Sequence, residues 1–142
     1  MRDVCPNRKA ASSYPRSAVA LLYLARMSMD AGDLEKAGEH LKTAVARDPE
    51  SAIAHRELGV YYLTRAQRSH RLPAGEIESN ADLVEADRYL ALSMSLDSRD
   101  RSSTGYRACA LAELGATAEA ERLRAAAGPG AWQSCDGFSR PK

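Results

Sequence analysis

From Ala18 to Ser51 the chain reads AVALLYLARMSMDAGDLEKAGEHLKTAVARDPES. Apolar residues recur there three and four positions apart, which places them on one face of a helix. The run breaks at Gly32-Asp33, where glycine can end one helix and aspartate can cap the next. Pro49 stops the second helix, because proline has no N–H with which to continue it. From Ala52 the order repeats, with AIAHRELGVYYLTRA opening a second block and ADLVEADRYLALSMSLDSRD closing it. A weaker third block runs from Arg101 to about Ser134. Each block predicts two amphipathic helices joined by a turn. Neither helix of a pair buries its apolar face alone, so neighbouring pairs must stack. Small residues at Ala25, Ala37, Gly59, Ala86 and Ala120 let helix axes approach, and Leu24, Leu41, Leu58, Tyr62 and Leu90 fill the spaces between.

The residues that recur also carry a family pattern. Leu21, Leu24 and Ala25 begin the first block, Ala37 and Leu41 stand four apart, Ala44 follows and Pro49 closes. In the second block Leu58, Gly59 and Tyr62 recur, followed by Ala86 and Leu90, with His55 at a tryptophan position and Ser98 at the closing proline position. In the third, Leu111, Gly115, Ala120 and Ala127 fit, while Thr104, Arg107 and Arg124 depart. This resembles the tetratricopeptide repeat (TPR), whose pattern W-x2-L-G-x2-Y, A-x3-F, P spans about 34 residues. The expectation is an all-α chain: a right-handed α-solenoid of three helix-turn-helix repeats over about 18–51, 52–100 and 101–134. A flexible arm (1–17) precedes the 18–127 helical domain, and a tail (128–142) follows it.

One spacing departs from the pattern. Ala86 follows Gly59 by 27 residues, whereas Ala37 follows Ala25 by 12, so 15 extra residues separate the helices of the second repeat. They fall within Gln67–Asn80. Arg65, Arg68, His70 and Arg71 extend the first helix, Leu72-Pro73-Ala74-Gly75 breaks it, and Ser79 with Asp82 reads as the next N-cap. The plain expectation is a tolerated surface loop; the functional one is a partner contact made by Arg68, His70 and Arg71. Gly128-Pro129-Gly130 ends the last helix, and the tail beyond holds Trp132 and Phe138, the only Trp and Phe of the chain. Trp132 is expected to fold back on the last helix or, with Phe138, to dock on a partner.

Composition agrees with helices. The chain has 26 Ala and 15 Leu against 5 Val, 2 Ile and 4 Thr, and strands favour the β-branched types. Twenty basic against nineteen acidic groups give a net charge of +1, which argues against a nucleic-acid binder. The longest apolar run, Ala18–Ala25, is far short of the roughly 18–20 residues of a membrane span and has no cleavage site after it. Cys5, Cys109 and Cys135 are too far apart to form a zinc motif, so free thiols in a reducing, cytoplasmic compartment are the default. A Cys5–Cys135 bridge is the alternative, as is a periplasmic location if a leader has been removed. His40, His55 and His70 stand fifteen apart, and no nucleophile, phosphate-loop or metal signature accompanies them. No enzyme, cofactor or metal is therefore expected.

The resemblance implies a protein-binding adaptor whose first helices line a concave groove. Leu22, Arg26 and Met29, then Arg56, Val60 and Leu63, then Cys109 and Ala112 take the inner positions. Arg26 and Arg56 could pair with carboxylates of a partner peptide. The chaperone-tail clamp of one TPR subfamily needs Lys and Asn where this chain has Leu22, Arg26 and Arg56, so that role is not expected. Alternatives are a structural subunit that contacts partners through its tails and insertion, and a small secretion- or pilus-type chaperone. A homodimer through the C-terminal end is also expected, because no cap covers that end.

Overall fold

A computed structural model describes residues 18–70 and 76–129. They form six helices and no strand: α1 (Ala18–Asp30), α2 (Leu34–Arg47), α3 (Ala52–His70), α4 (Glu76–Leu96), α5 (Arg101–Glu113) and α6 (Thr117–Ala127). The chain is all-α. Packing is most extensive within α1–α2, α3–α4 and α5–α6; successive pairs then meet through α2 on α3 and α4 on α5. Beyond sequence neighbours, α1 touches α3 and α3 touches α5.

The same turns recur along the chain. Gly32, after α1, has φ +84°, and Gly115, after α5, has φ +93°. Both take the left-handed conformation that a side chain would resist. At each, the glycine N–H bonds back to the carbonyl three residues earlier, and the next N–H to the carbonyl five earlier: Gly32 to Met29 and Asp33 to Ser28, Gly115 to Ala112 and Ala116 to Leu111. This is the hydrogen-bond pattern that closes a helix on a left-handed residue. The turns between pairs also match: Asp48 N–H bonds Ala44 and Ser51 N–H bonds Asp48, as Asp97 N–H bonds Ser93 and Asp100 N–H bonds Asp97. Ser51 then caps α3 by accepting from Ala54 N–H at 3.0 Å, and Asp100 caps α5 by accepting from Ser102 N–H at 3.0 Å.

The core lies between the pairs. Leu41, Leu58, Leu63, Leu90 and Cys109 are its largest fully buried apolar side chains. Its helices touch closely. A Cβ on Gly59 would stand 2.7 Å from Leu90 Cγ, and one on Gly38 2.6 Å from the Tyr61 ring.

Most of the extra residues of the second block lengthen helices: α3 runs on through Arg65 and Arg68 to His70, as expected, and α4 begins earlier than expected, at Glu76. α3 has 19 residues against 13 in α1, and α4 has 21 against 14 in α2. At 1.5 Å per residue the pair projects about 10 Å past its neighbours. Ser79 caps nothing: α4 has already begun at Glu76, and Ser79 and Asp82 are buried inside it. The physical reason is Arg65, which reaches across from α3 and holds the Asp82 carboxylate with two bonds of 2.9 Å. A charged pair that bridges two helices rewards continuing both of them.

Candidate interaction site

The helix positions expected to line a groove contain charges that already have partners. Arg26 on α1 is exposed, with its Nη2 3.4 Å from Glu57 Oε1. Arg56 on α3 is mostly covered; it donates to Asp100 Oδ2 at 3.0 Å and to Glu57 Oε2 at 3.3 Å. Four alternating charges therefore run across α1, α3 and α5, in the order Arg26, Glu57, Arg56, Asp100, and sum to zero. Burial opposes the Arg56 charge, but the Asp100 hydrogen bond and the Glu57 and Asp100 carboxylates outweigh it and hold the guanidinium above its ordinary range. Burial likewise opposes ionisation of Asp100, yet hydrogen bonds from Ser103 and Arg56, the Arg56 charge and the Ser102 N–H hold it below the usual carboxylate range. A carboxylate arriving from outside would compete with Glu57 and Asp100 for these guanidinium groups.

The apolar residues assigned to the same surface divide. Leu22 and Met29 are partly buried and pack on the core, and Val60 is half-buried. Leu63 belongs to the core itself. Cys109 is 0% exposed and disulfide-bonded, so it offers no thiol to a partner or a metal. Its bond also corrects the expectation of free thiols; the partner cysteine lies outside the described residues. Ala112 is exposed on α5.

One concavity of the structure was not visible in the sequence. A cleft of about 510 Å³ opens between α2 and α3, where the long α3–α4 pair overhangs α2. Leu34, Glu35, Gly38, Glu39 and Lys42 form one wall, with Tyr61 and Arg65 facing them. Tyr61 is buried and its hydroxyl accepts from Arg65 Nη1 at 2.9 Å. Arg65 is thus held by Tyr61 and Asp82 together. Its hydrogen bond to Asp82 is the largest influence and raises its pKa further above the ordinary range. Glu35 and Glu39 make no ion pair among the described residues, and the Lys42 ammonium has only the Tyr62 ring, 6.0 Å from its centroid. Among the described residues, the Glu35 and Glu39 charges on the cleft wall are therefore not neutralised by an ion pair. The missed signal was the pair Arg65 and Asp82, which the sequence places 17 apart but on facing helices.

The other anticipated contacts are scattered. Arg68 Nη1 lies 3.5 Å from the Gly32 carbonyl, at the turn after α1. His70 is the last residue of α3. Its side chain and Arg71, Trp132 and Phe138 lie outside the described residues, as do Cys5 and Cys135. His55 is buried, with Nδ1 2.9 Å from the Ser51 carbonyl, the packing role that its position implied. Among the described residues no three His, Cys, Asp or Glu converge as metal ligands. No described helix is long and apolar enough to cross a membrane. No protein-family model matches the chain, and no curated protein matches it significantly.

Proposed function

We propose that the chain is a TPR-like protein-interaction module, a solenoid of three helix pairs that receives a basic segment of a partner in the α2–α3 cleft. The observation that carries the solenoid reading is one series of small buried residues. Ala25, Ala37 and Ala44, then Gly59, Ala86 and Ser93, then Ala108, Ala120 and Ala127 occupy the close-contact positions of the repeat pattern, and all are buried. Such arrays act by binding, because stacked pairs create extended surfaces. The groove arginines are less suited to an acidic peptide, since Glu57 and Asp100 already hold them. Glu35 and Glu39, four apart on one face of α2, repel each other mildly and are better stabilised by a cation from outside.

The test is selection of a random peptide library on the immobilised protein, followed by titration of the recovered peptides by fluorescence anisotropy. Lys- or Arg-bearing peptides are expected, with a Kd weakened about tenfold or more in Glu35→Lys/Glu39→Lys and little changed in Arg26→Ala. Recovery of acidic peptides lost in Arg26→Ala would return the site to the concave groove. The overhanging α3–α4 pair supports a second reading, a structural subunit that inserts this projection into a larger assembly.

A further inference from the structure

Two outward faces carry rows of large exposed apolar side chains. On α4 these are Val84, Leu92 and Leu96, but Arg88 interrupts them, bound to Glu85 at 2.8 Å and stacked 4.4 Å from the Tyr89 ring centre. On α1 nothing interrupts the row. Val19, Tyr23 and Met27, one turn apart, are 74%, 73% and 56% exposed. Beside them a second cleft, of about 340 Å³, opens between α1 and α2. Leu24, Met27, Ser28 and Ala31 line it, with Lys36 and His40 on its far wall. A protruding aromatic ring and a concavity thus lie side by side on one helix face.

We infer that this end of the molecule is the interface of a closed homodimer, in which Tyr23 of each copy enters the α1–α2 cleft of the other. A two-fold interface must be self-complementary, and a knob beside a hole on the same face meets that condition twice at once. The ring would be buried while its hydroxyl reached the polar far wall, as a buried tyrosine requires. The described residues of the far end offer no competing surface. Among the described residues, α5 and α6 expose no large apolar side chain, and the outer face of α6 carries the ion pairs Glu119–Arg122 and Glu121–Arg124. Head-to-tail growth therefore finds no apolar acceptor among the described residues of α5 and α6, and two α1 faces close on each other. This moves the expected self-association from the C-terminal to the N-terminal helix pair. The three side chains expose on the order of 400 Å², within the range of the largest apolar patch on a monomer. Two such faces with their cleft walls approach the roughly 1,200 Å² at the low end of specific interfaces, which implies a reversible dimer.

Sedimentation velocity of the full chain, from micromolar to hundreds of micromolar, tests this. The wild type should pass from monomer to dimer. Tyr23→Glu, and Ser28→Arg, which fills the cleft, should raise the dimer Kd about 30-fold or more, as loss of an interface anchor does. Val84→Ser removes an exposed apolar side chain from α4, 53% exposed against 56% for Met27, and should leave the dimer intact. Circular dichroism checks that each variant is folded, with Tyr23→Ser replacing any that is not. A wild type that stays monomeric overturns the inference, as does a dimer that survives Tyr23→Glu. A monomer would leave the α1 face to a helix of another protein.

Discussion

Gly38 lies where α2 meets the ring of Tyr61, and that ring cannot retreat, because Arg65 holds its hydroxyl and Asp82 holds Arg65. A methyl group at position 38 must push a buried ring out of a fixed hydrogen-bond chain. Gly38→Ala should therefore destabilise by about 1–3 kcal/mol, the usual cost of overpacking, even though alanine favours helix over glycine. Urea denaturation measures it, and a neutral or stabilising result would show that the α2–α3 contact is looser than the geometry states. Gly32 and Gly115 are of a different kind: nothing crowds a Cβ there, and only the positive φ resists substitution. At the small positions the sequence was legible. Ser93 was not read as one of them, because its hydroxyl hides its role. It is buried, donating to the Ala52 carbonyl at 2.9 Å with its oxygen 2.9 Å from the Ser103 hydroxyl, so a polar residue takes an alanine position with its donor satisfied.

At the scale of helices, Asp100 joins two pairs. It caps α5 through Ser102 N–H, accepts from Ser103 and binds Arg56 of α3. Its carboxylate is held below the usual range in the folded state. A group so depressed contributes stability that is present above its unfolded pKa and lost as pH falls through its folded value. Thermal melts should thus show stability falling as pH drops below about 4, the unfolded pKa of an aspartate. Asp100→Asn keeps the cap but loses the charge. It should cost about 1–2 kcal/mol at neutral pH and flatten that acid limb. An unchanged acid limb would assign the loss to other carboxylates. The helices themselves were legible in the sequence from periodicity and from the breaks at Gly32 and Pro49. The insertion was not, since Pro73 and Gly75 mark a break while saying nothing of how far the helices run on either side.

For the whole molecule, the disulfide at Cys109 ties the buried face of α5, in the last helix pair, to a cysteine outside the described residues. Closing a chain loop restricts the unfolded state, by typically about 2–4 kcal/mol. Thermal melts with and without reductant should therefore differ, with the reduced protein less stable. Alkylation of the unreduced, denatured chain should label a single one of the three cysteines, and its identity reveals the partner. Labelling of all three, with identical melts, would mean that the cysteines are free in solution. The sequence could not foresee this bond, because three cysteines permit three pairings and none has a diagnostic spacing. The charge count was equally silent: a net of +1 says that charges balance, not that Glu57 and Asp100 meet Arg26 and Arg56 while Glu35 and Glu39 make no ion pair among the described residues.

The sequence by itself determined that the chain is helical, where most helices begin and end, and which small residues lie at close contacts. Those features depend on neighbours three or four positions away, and period, caps and breakers report such neighbours directly. Only the tertiary structure decided which charges are spent. Arg56 and Asp100 stand 44 residues apart and Arg26 and Glu57 31, and they meet because helix pairs stack. The same stacking opened the clefts beside α2 and left the outer face of α1 bare. Clefts and faces of this kind arise between helices, and no periodicity within one helix encodes them.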